Sequence, residues 1–419
     1  MANLKSGLAD LDVHGRSQKT DMLDPYMDVD LGVQPLETGR LSLNPSDGKL
    51  HLWCNNEGAV LVEAVTRVKI SELGDLSQYN EFFENLVYKP VFNGNFSEMP
   101  LVVAQVTKFG CGGYSLGIGT SHSLFDGPAT HDFLSAWASN SAILKVKGGH
   151  ELQKPVHERG SLLLVGNSHP HKIQTRAAAI DHLYQLIHQA VADPNHGKLA
   201  GDQNPSAMSY PNYVLKTFHL SGTVIENLKR KIWSQRRGSF SCSSFEVVTA
   251  HLWKARTTAL GVRKERMVCL QFAMDIRNKM APALPKGFSG NAYVLISVAL
   301  KAGELEEGSH EAIIEKIKQA KNSVTSDYVT SYMEALDGPQ GTLPPMKELT
   351  IVSDWTRMPF HKVDFLHGGA AYVSPLVTPI PQVAYLMQNP NDSAGIDVRI
   401  GLLPQALDAF SHYFLMNVQ

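Results

Sequence analysis

The sequence predicts an α/β protein folded as two halves of similar size. Three observations carry that reading. At 419 residues the chain is too long for one ordinary hydrophobic core, so two domains or one large composite domain are expected. Stretches with strand character and stretches with helix periodicity are mixed irregularly along it, as in mixed sheets flanked by helices. Residues 193–212, rich in Pro, Gly, Asn and Ser, form the strongest linker signal and mark the boundary.

The elements follow in order. Residues 1–38 are polar and uneven, with acidic turns such as Asp21-Met22-Leu23-Asp24-Pro25, and an irregular, truncated segment is expected there. An N-terminal domain spans 39–192. In it, residues 50–54 and 59–64 read as a hairpin across the turn Asn55-Asn56-Glu57-Gly58. Residues 101–109 and 114–120 read as a second hairpin across Gly110-Cys111-Gly112-Gly113. Helices are expected over 133–145, after the turn Asp126-Gly127-Pro128, and over 180–191.

The C-terminal domain spans 213–419 and opens on a strand over 213–220. The box Thr223-Val224-Ile225-Glu226 predicts the start of one helix, and Ser243-Ser244-Phe245-Glu246 that of another reaching about residue 258. Strands are expected over 272–276, 292–299, 348–354, 383–388 and 395–403. Residues 310–324 read as an amphipathic helix with Ile313, Ile314, Ile317 and Ala320 on one face. Leu407, Phe410 and Phe414 form the buried stripe of a last helix.

Composition excludes several classes of function. With 43% hydrophobic and 19% charged residues and a formal net charge of −2, the chain lacks the basic stripe of a nucleic-acid binder. No apolar signal region opens it, and no segment approaches the roughly 18 apolar residues of a membrane span, so a cytoplasmic protein is expected. The four cysteines (Cys54, Cys111, Cys242, Cys269) are scattered, and neither a disulfide framework nor a zinc site is indicated. Seventeen histidines include no His-x-x-x-His pair, and Ser168-His169-Pro170-His171 has no third ligand nearby, so no metal is expected. Gly117-Ile118-Gly119-Thr120 lacks the third glycine and following helix of a dinucleotide loop.

Two short strings carry chemistry. His122-Ser123-Leu124-Phe125-Asp126-Gly127 places a histidine and an aspartate four apart at the end of a strand. An imidazole there can be held in one tautomer and aimed into a cleft, as a general base requires. The plain alternative is a capped turn with a satisfied histidine. Far downstream lies Asp364-Phe365-Leu366-His367-Gly368.

Together the strings resemble the BAHD family of plant acyl-CoA-dependent acyltransferases, whose signatures are His-x-x-x-Asp and Asp-Phe-Gly-Trp-Gly in that order. Asp275-Ile276-Arg277 with Gly287-Phe288-Ser289-Gly290-Asn291 is similar to the family's central motif. Ser244 through Lys254 resembles its helix near the pantetheine arm, and Trp355-Thr356-Arg357-Met358-Pro359-Phe360 its lead into the second signature. The resemblance spans about residues 40–414.

It implies a chloramphenicol-acetyltransferase-like fold of two mixed-sheet domains, with an active-site tunnel at their interface. It implies a monomer that moves an acyl group from acyl-CoA, a co-substrate with no bound cofactor, to a hydroxyl or amine of a small specialised or hormone-type metabolite. His122 would be the general base, with no acyl-enzyme. Asp126 would pair with Arg277 and shape the site rather than do chemistry, and Gly127 would permit a tight turn. Asp364 and Gly368 would be structural. Ser244 and Lys254 are candidates for coenzyme A contact, and Arg357 for the acceptor. Two departures from the family pattern stand out, one in the second signature and one at the N-terminus. Leu366 and His367 replace Gly and Trp of the second signature, leaving His367 as a candidate donor to an oxyanion. The family's Pro-Leu-Ala-Gly-Arg-Leu turn stands as Pro35-Leu36-Glu37-Thr38-Gly39-Arg40-Leu41 behind a short N-terminal segment that lacks much of the family's first helix. These departures motivate the alternative of a catalytically impaired binding or regulatory relative.

Overall fold

The computed structural model describes residues 11–12, 39–44, 50–54, 58–90, 99–143, 155–157, 213–234, 241–337, 348–365, 368–376 and 383–415. The expected helix at 180–191 and linker at 193–212 lie outside these residues. By internal contacts the chain divides into two units. The first comprises Met1–Glu158, Pro285–Asn291 and Met358–Leu376, and the second Arg159–Leu284, Ala292–Arg357 and Val377–Gln419. The division is therefore not sequential. Asp364 and Gly368, which chain order puts in the second half, pack with the first unit.

The first unit is built on a four-stranded sheet in the order β1 (Leu11–Asp12), β4 (Val60–Thr66), β5 (Val102–Lys108), β6 (Tyr114–Thr120). A separate ribbon pairs β2 (Gly39–Leu43) with β3 (Leu50–Cys54). This corrects the first expected hairpin: β3 runs antiparallel to β2, while β4 runs parallel to β5. The turn residues 55–58 favoured a local pairing. However, Val102, Val103 and Ala104 of β5 are all buried, and a strand covered on both faces gains by ladder bonds on both edges. The second hairpin forms as expected, β5 to β6, with Gly112 at φ +84° in its turn. Leu11 and Asp12 pair with Thr66 and Val65, an edge strand too short to leave periodicity in a polar segment.

Helix α1 (Gly127–Ile143) begins six residues earlier than its apolar periodicity indicates. Its first turn is set by a cap, not by an apolar stripe. Leu124, Phe125 and Ala129 join Leu41, Leu101 and Val102 in a buried cluster that seats this helix start beside the sheet.

The second unit carries a six-stranded mixed sheet in the order β7 (Val214–Leu220), β12 (Asp392–Leu402), β11 (Val383–Asn389), β10 (Leu349–Asp354), β8 (Met267–Asp275), β9 (Tyr293–Lys301). Its helices are α2 (Gly222–Ser234), α3 (Ser244–Ala259), α4 (Ala302–Glu307), α5 (His310–Asn322), α6 (Ser326–Asp337) and α7 (Pro404–Leu415). Every residue of α3 from Val247 to Trp253 is buried, so it is a central helix covered all round. In α7 the buried stripe is Ala406, Phe410 and Phe414, with Leu407 only half-buried. The rings of Phe410 and Phe414 lie 5.1 and 5.7 Å from that of Phe218 on β7.

Helix starts follow cap chemistry. Ser243 Oγ accepts from Glu246 N at 3.2 Å, and Glu246 Oε2 accepts from Ser243 N at 2.9 Å, the reciprocal box expected for α3. For α2 the expectation fails. Ser221 Oγ accepts from Val224 N, and Asp392 accepts from Gly222 N at 3.0 Å. Glu226 instead takes Lys229 Nζ at 2.6 Å. The helix thus starts two residues earlier, capped by Ser221. Among the described residues no helix is long and apolar enough to cross a membrane, and no cluster of three metal-ligating side chains occurs.

Candidate active site

His122 stands where β6 ends, in a turn whose two flanks are tied down. Before it, Ser121 N donates to Leu101 O at 2.8 Å, and Leu124 N closes the turn onto Ser121 O at 3.0 Å. After it, Leu124 and Phe125 are each 2% exposed and anchored in the core. His122 itself is exposed. Buried neighbours thus hold up an accessible imidazole. The carbonyl of His122 accepts a hydrogen bond from Asn291 Nδ2 at 2.5 Å.

Asp126 is 4% exposed, and its Oδ1 accepts from Ala129 N at 3.0 Å. That is an N-cap bond, and it gives the aspartate a structural task at the start of α1. Thr130 closes the same turn, with its N and Oγ1 both donating to Asp126 O at 2.9 Å. Gly127 has a different basis from the one expected. Its φ is not among the positive ones, so the turn does not demand glycine. A Cβ there would lie 2.6 Å from Met358 Sδ and 2.7 Å from its Cε. Met358 packs closely over the glycine, and a side chain at 127 would push the end of that flexible methionine aside.

The second signature leans on the same helix. The ring of Phe365 meets Trp137 of α1 edge-on at 5.3 Å, and Phe360 meets His131 at 5.3 Å. Asp364 Oδ1 accepts from Gly368 N at 2.9 Å and closes the loop, with Gly368 at φ +89°. Leu366 and His367 lie outside the described residues. A cleft of about 460 Å³ separates α1 from the 359–364 segment, lined by His131, Ser135, Ser139, Pro359, Lys362 and Asp364. His122 is not part of that lining.

The first unit thus brings together His122, Asp126, Gly127, Asp364 and Gly368. The remaining candidates belong to the second unit. Arg277 pairs with Asp275, with Nη1 to Oδ2 at 3.2 Å and its backbone N donating to Oδ1 at 2.7 Å. Ser244 is the first residue of α3, beside its cap Ser243. Lys254 Nζ donates to Gly308 O at 2.6 Å, tying α3 to the turn before α5, and burial lowers its pKa. Arg357 is exposed and makes no ion pair among the described residues. Sequence reading assigned no role to Asn291 or Met358. No pattern within a few residues of either points at the His122 turn.

The sequence matches the family model described as Transferase family over residues 34–416. It is similar to Brassinosteroid-related acyltransferase 1 of Arabidopsis thaliana, 55% identical over 391 residues, covering 90% of this chain and 82% of that protein. Omega-hydroxypalmitate O-feruloyl transferase of Arabidopsis thaliana is 31% identical over 380 residues, covering 90% and 78%. Among solved structures, vinorine synthase superposes with a TM-score of 0.63 at 19% identity, covering 94% of this chain and 86% of that one. TRI101 of F. sporotrichioides, solved with coenzyme A and T-2, gives 0.64 at 14% identity, covering 91% and 88%. At those identities the likeness is one of fold.

Proposed function

The chain belongs to the Transferase family, the BAHD acyl-CoA-dependent acyltransferases with their chloramphenicol-acetyltransferase-like fold, and we propose that His122 is the general base of its acyl transfer. In this reading the His122 imidazole takes the proton from an acceptor hydroxyl as its oxygen attacks the thioester carbonyl carbon. The tetrahedral adduct collapses, the carbon–sulfur bond breaks, and the imidazolium returns the proton to the leaving thiolate of coenzyme A. The acyl group passes directly between the two substrates, and no nucleophilic side chain is acylated.

The observation that carries the proposal is the exposed imidazole of His122 on a turn fixed by buried neighbours. Asp126 serves by capping α1 rather than by handling the proton. Asp364 and Gly368 serve by closing the loop that packs on the same helix. For the acceptor we propose a hydroxyl on a steroid-like plant metabolite, on the strength of 55% identity to a protein named as brassinosteroid-related.

The test measures free thiol released from a series of acyl-CoAs of increasing chain length, with a brassinosteroid as acceptor and mass detection of the ester. His122→Ala should lose about 10²–10⁴-fold in rate. A His122→Ala protein as active as the parent would remove His122 from the chemistry. Saturable acyl-CoA binding with no thiol release from the folded parent would favour the impaired, ligand-binding alternative.

A further inference from the structure

The contact between Asn291 and His122 joins positions 169 residues apart and has a direction. The side-chain amide donates to the main-chain carbonyl of His122, not to its ring. A peptide plane at the tip of an exposed turn rotates readily unless its carbonyl is held. Here Ser121 is tied on one side and Leu124 and Phe125 are sunk in the core on the other. The 122–123 plane is the soft point between them, and Asn291 holds it.

The arm that delivers Asn291 is itself rigid. Val156 forms a bridge with Phe288, Val156 N donates to Gly287 O, and Ser289 N donates to Val156 O, each at 2.9 Å. Phe288 and Ser289 are buried. Gly290, at φ +144°, turns the chain so that the next residue reaches the His122 turn. The other end of the amide is costly. Asn291 Oδ1 is buried and accepts no hydrogen bond, which is unfavourable for stability. An apolar residue of the same shape would relieve that cost and lose only the donor.

From this balance we infer that Asn291 is a positioning residue for His122, retained because its Nδ2–H fixes the backbone from which the imidazole projects. The inference rests on His122 as the proton acceptor of the transfer. A displacement of the base by about 1 Å can cost on the order of 10²-fold in rate, far more than one hydrogen bond contributes to folding.

Asn291→Leu, close to isosteric, removes the donor and is the first variant to make. The expected result is a fall in kcat of about 10- to 100-fold, with KM for acyl-CoA unchanged and a thermal midpoint no lower than the parent's. In a His122→Ala background the same substitution should cost no further activity, because no base remains to be positioned. Unchanged kcat in Asn291→Leu would overturn the inference, as would an equal loss in both backgrounds. If Asn291→Leu does not fold, Asn291→Ser carries the same two-background comparison. Failure of the underlying reading is distinguishable, since His122→Ala alone would then keep its activity.

Discussion

Acidification should loosen the second unit by titrating a histidine pair in which His251 is buried and His310 half-buried. His251 Nδ1 on α3 lies 3.1 Å from His310 Nε2 at the start of α5, and His251 Nε2 lies 2.9 Å from Phe414 O in α7. A carbonyl only accepts, so His251 donates from Nε2. Its Nδ1 is then the acceptor, and His310 donates from Nε2. Two neutral rings therefore staple three helices in one defined tautomer. The ring of His251 also stacks on Phe414, with centroids 5.1 Å apart.

Burial pushes the pKa of His310 from 6.5 down to about 4, with His251 and Lys254 adding to the effect. Burial likewise lowers His251, against its hydrogen bond to Phe414 and with help from Lys254. Because the folded value lies below the unfolded one, the unfolded chain takes up the proton first. The contribution is whole above about 6.5 and is lost as pH falls toward about 4. For His310 the full window corresponds to about 3 kcal/mol, of which about 2 is lost by roughly pH 5.

Urea unfolding followed by circular dichroism at neutral pH and at about pH 5 measures that loss. His310→Gln retains an amide donor toward His251 and does not titrate, so its stability should fall by about 2 kcal/mol less than the parent's over the same range. An identical fall in parent and variant would refute the assignment of acid sensitivity to this pair.

Two further substitutions test how the site is held. Asp126→Ala removes the α1 cap and should cost about 1 kcal/mol, whereas Asp126→Asn keeps an acceptor for Ala129 N and should stay close to the parent in thermal midpoint. A large, equal loss in both variants would show that the charge of Asp126, not its cap, is what the fold requires. Gly368→Ala places a side chain at φ +89° with nothing within 4 Å of the new Cβ, so its cost is backbone strain alone, about 1–2 kcal/mol. A thermal midpoint that does not move would indicate that the 364–368 loop re-forms at negative φ.

Much of the fold was readable because its determinants are local. The glycine turn at 110–113 joins β5 to β6, and Ser243 with Glu246 starts α3, each within a few residues. Periodicity located α5 and α7, which present an apolar stripe to a core. It did not reveal α4, whose six residues carry too few repeats, nor α6, whose sequence mixes Tyr, Val and Thr with acidic residues. The start of α2 was misplaced by two residues because Ser221, rather than Thr223, caps it, with Asp392 adding an acceptor for the amide of Gly222.

By itself the sequence determined the residue types of the candidate site: a histidine at a strand end, an aspartate four residues after it, and an Asp-Phe segment far downstream. These are short-range properties of turns, caps and side-chain chemistry. Tertiary structure alone decided that β4 pairs with β5 and not β3, that Met358 packs over Gly127, and that Asn291 holds the carbonyl of His122. Each of those depends on which distant surfaces meet, a choice governed by burial of apolar faces and satisfaction of buried polar groups across the whole chain. No window of neighbouring residues contains that information.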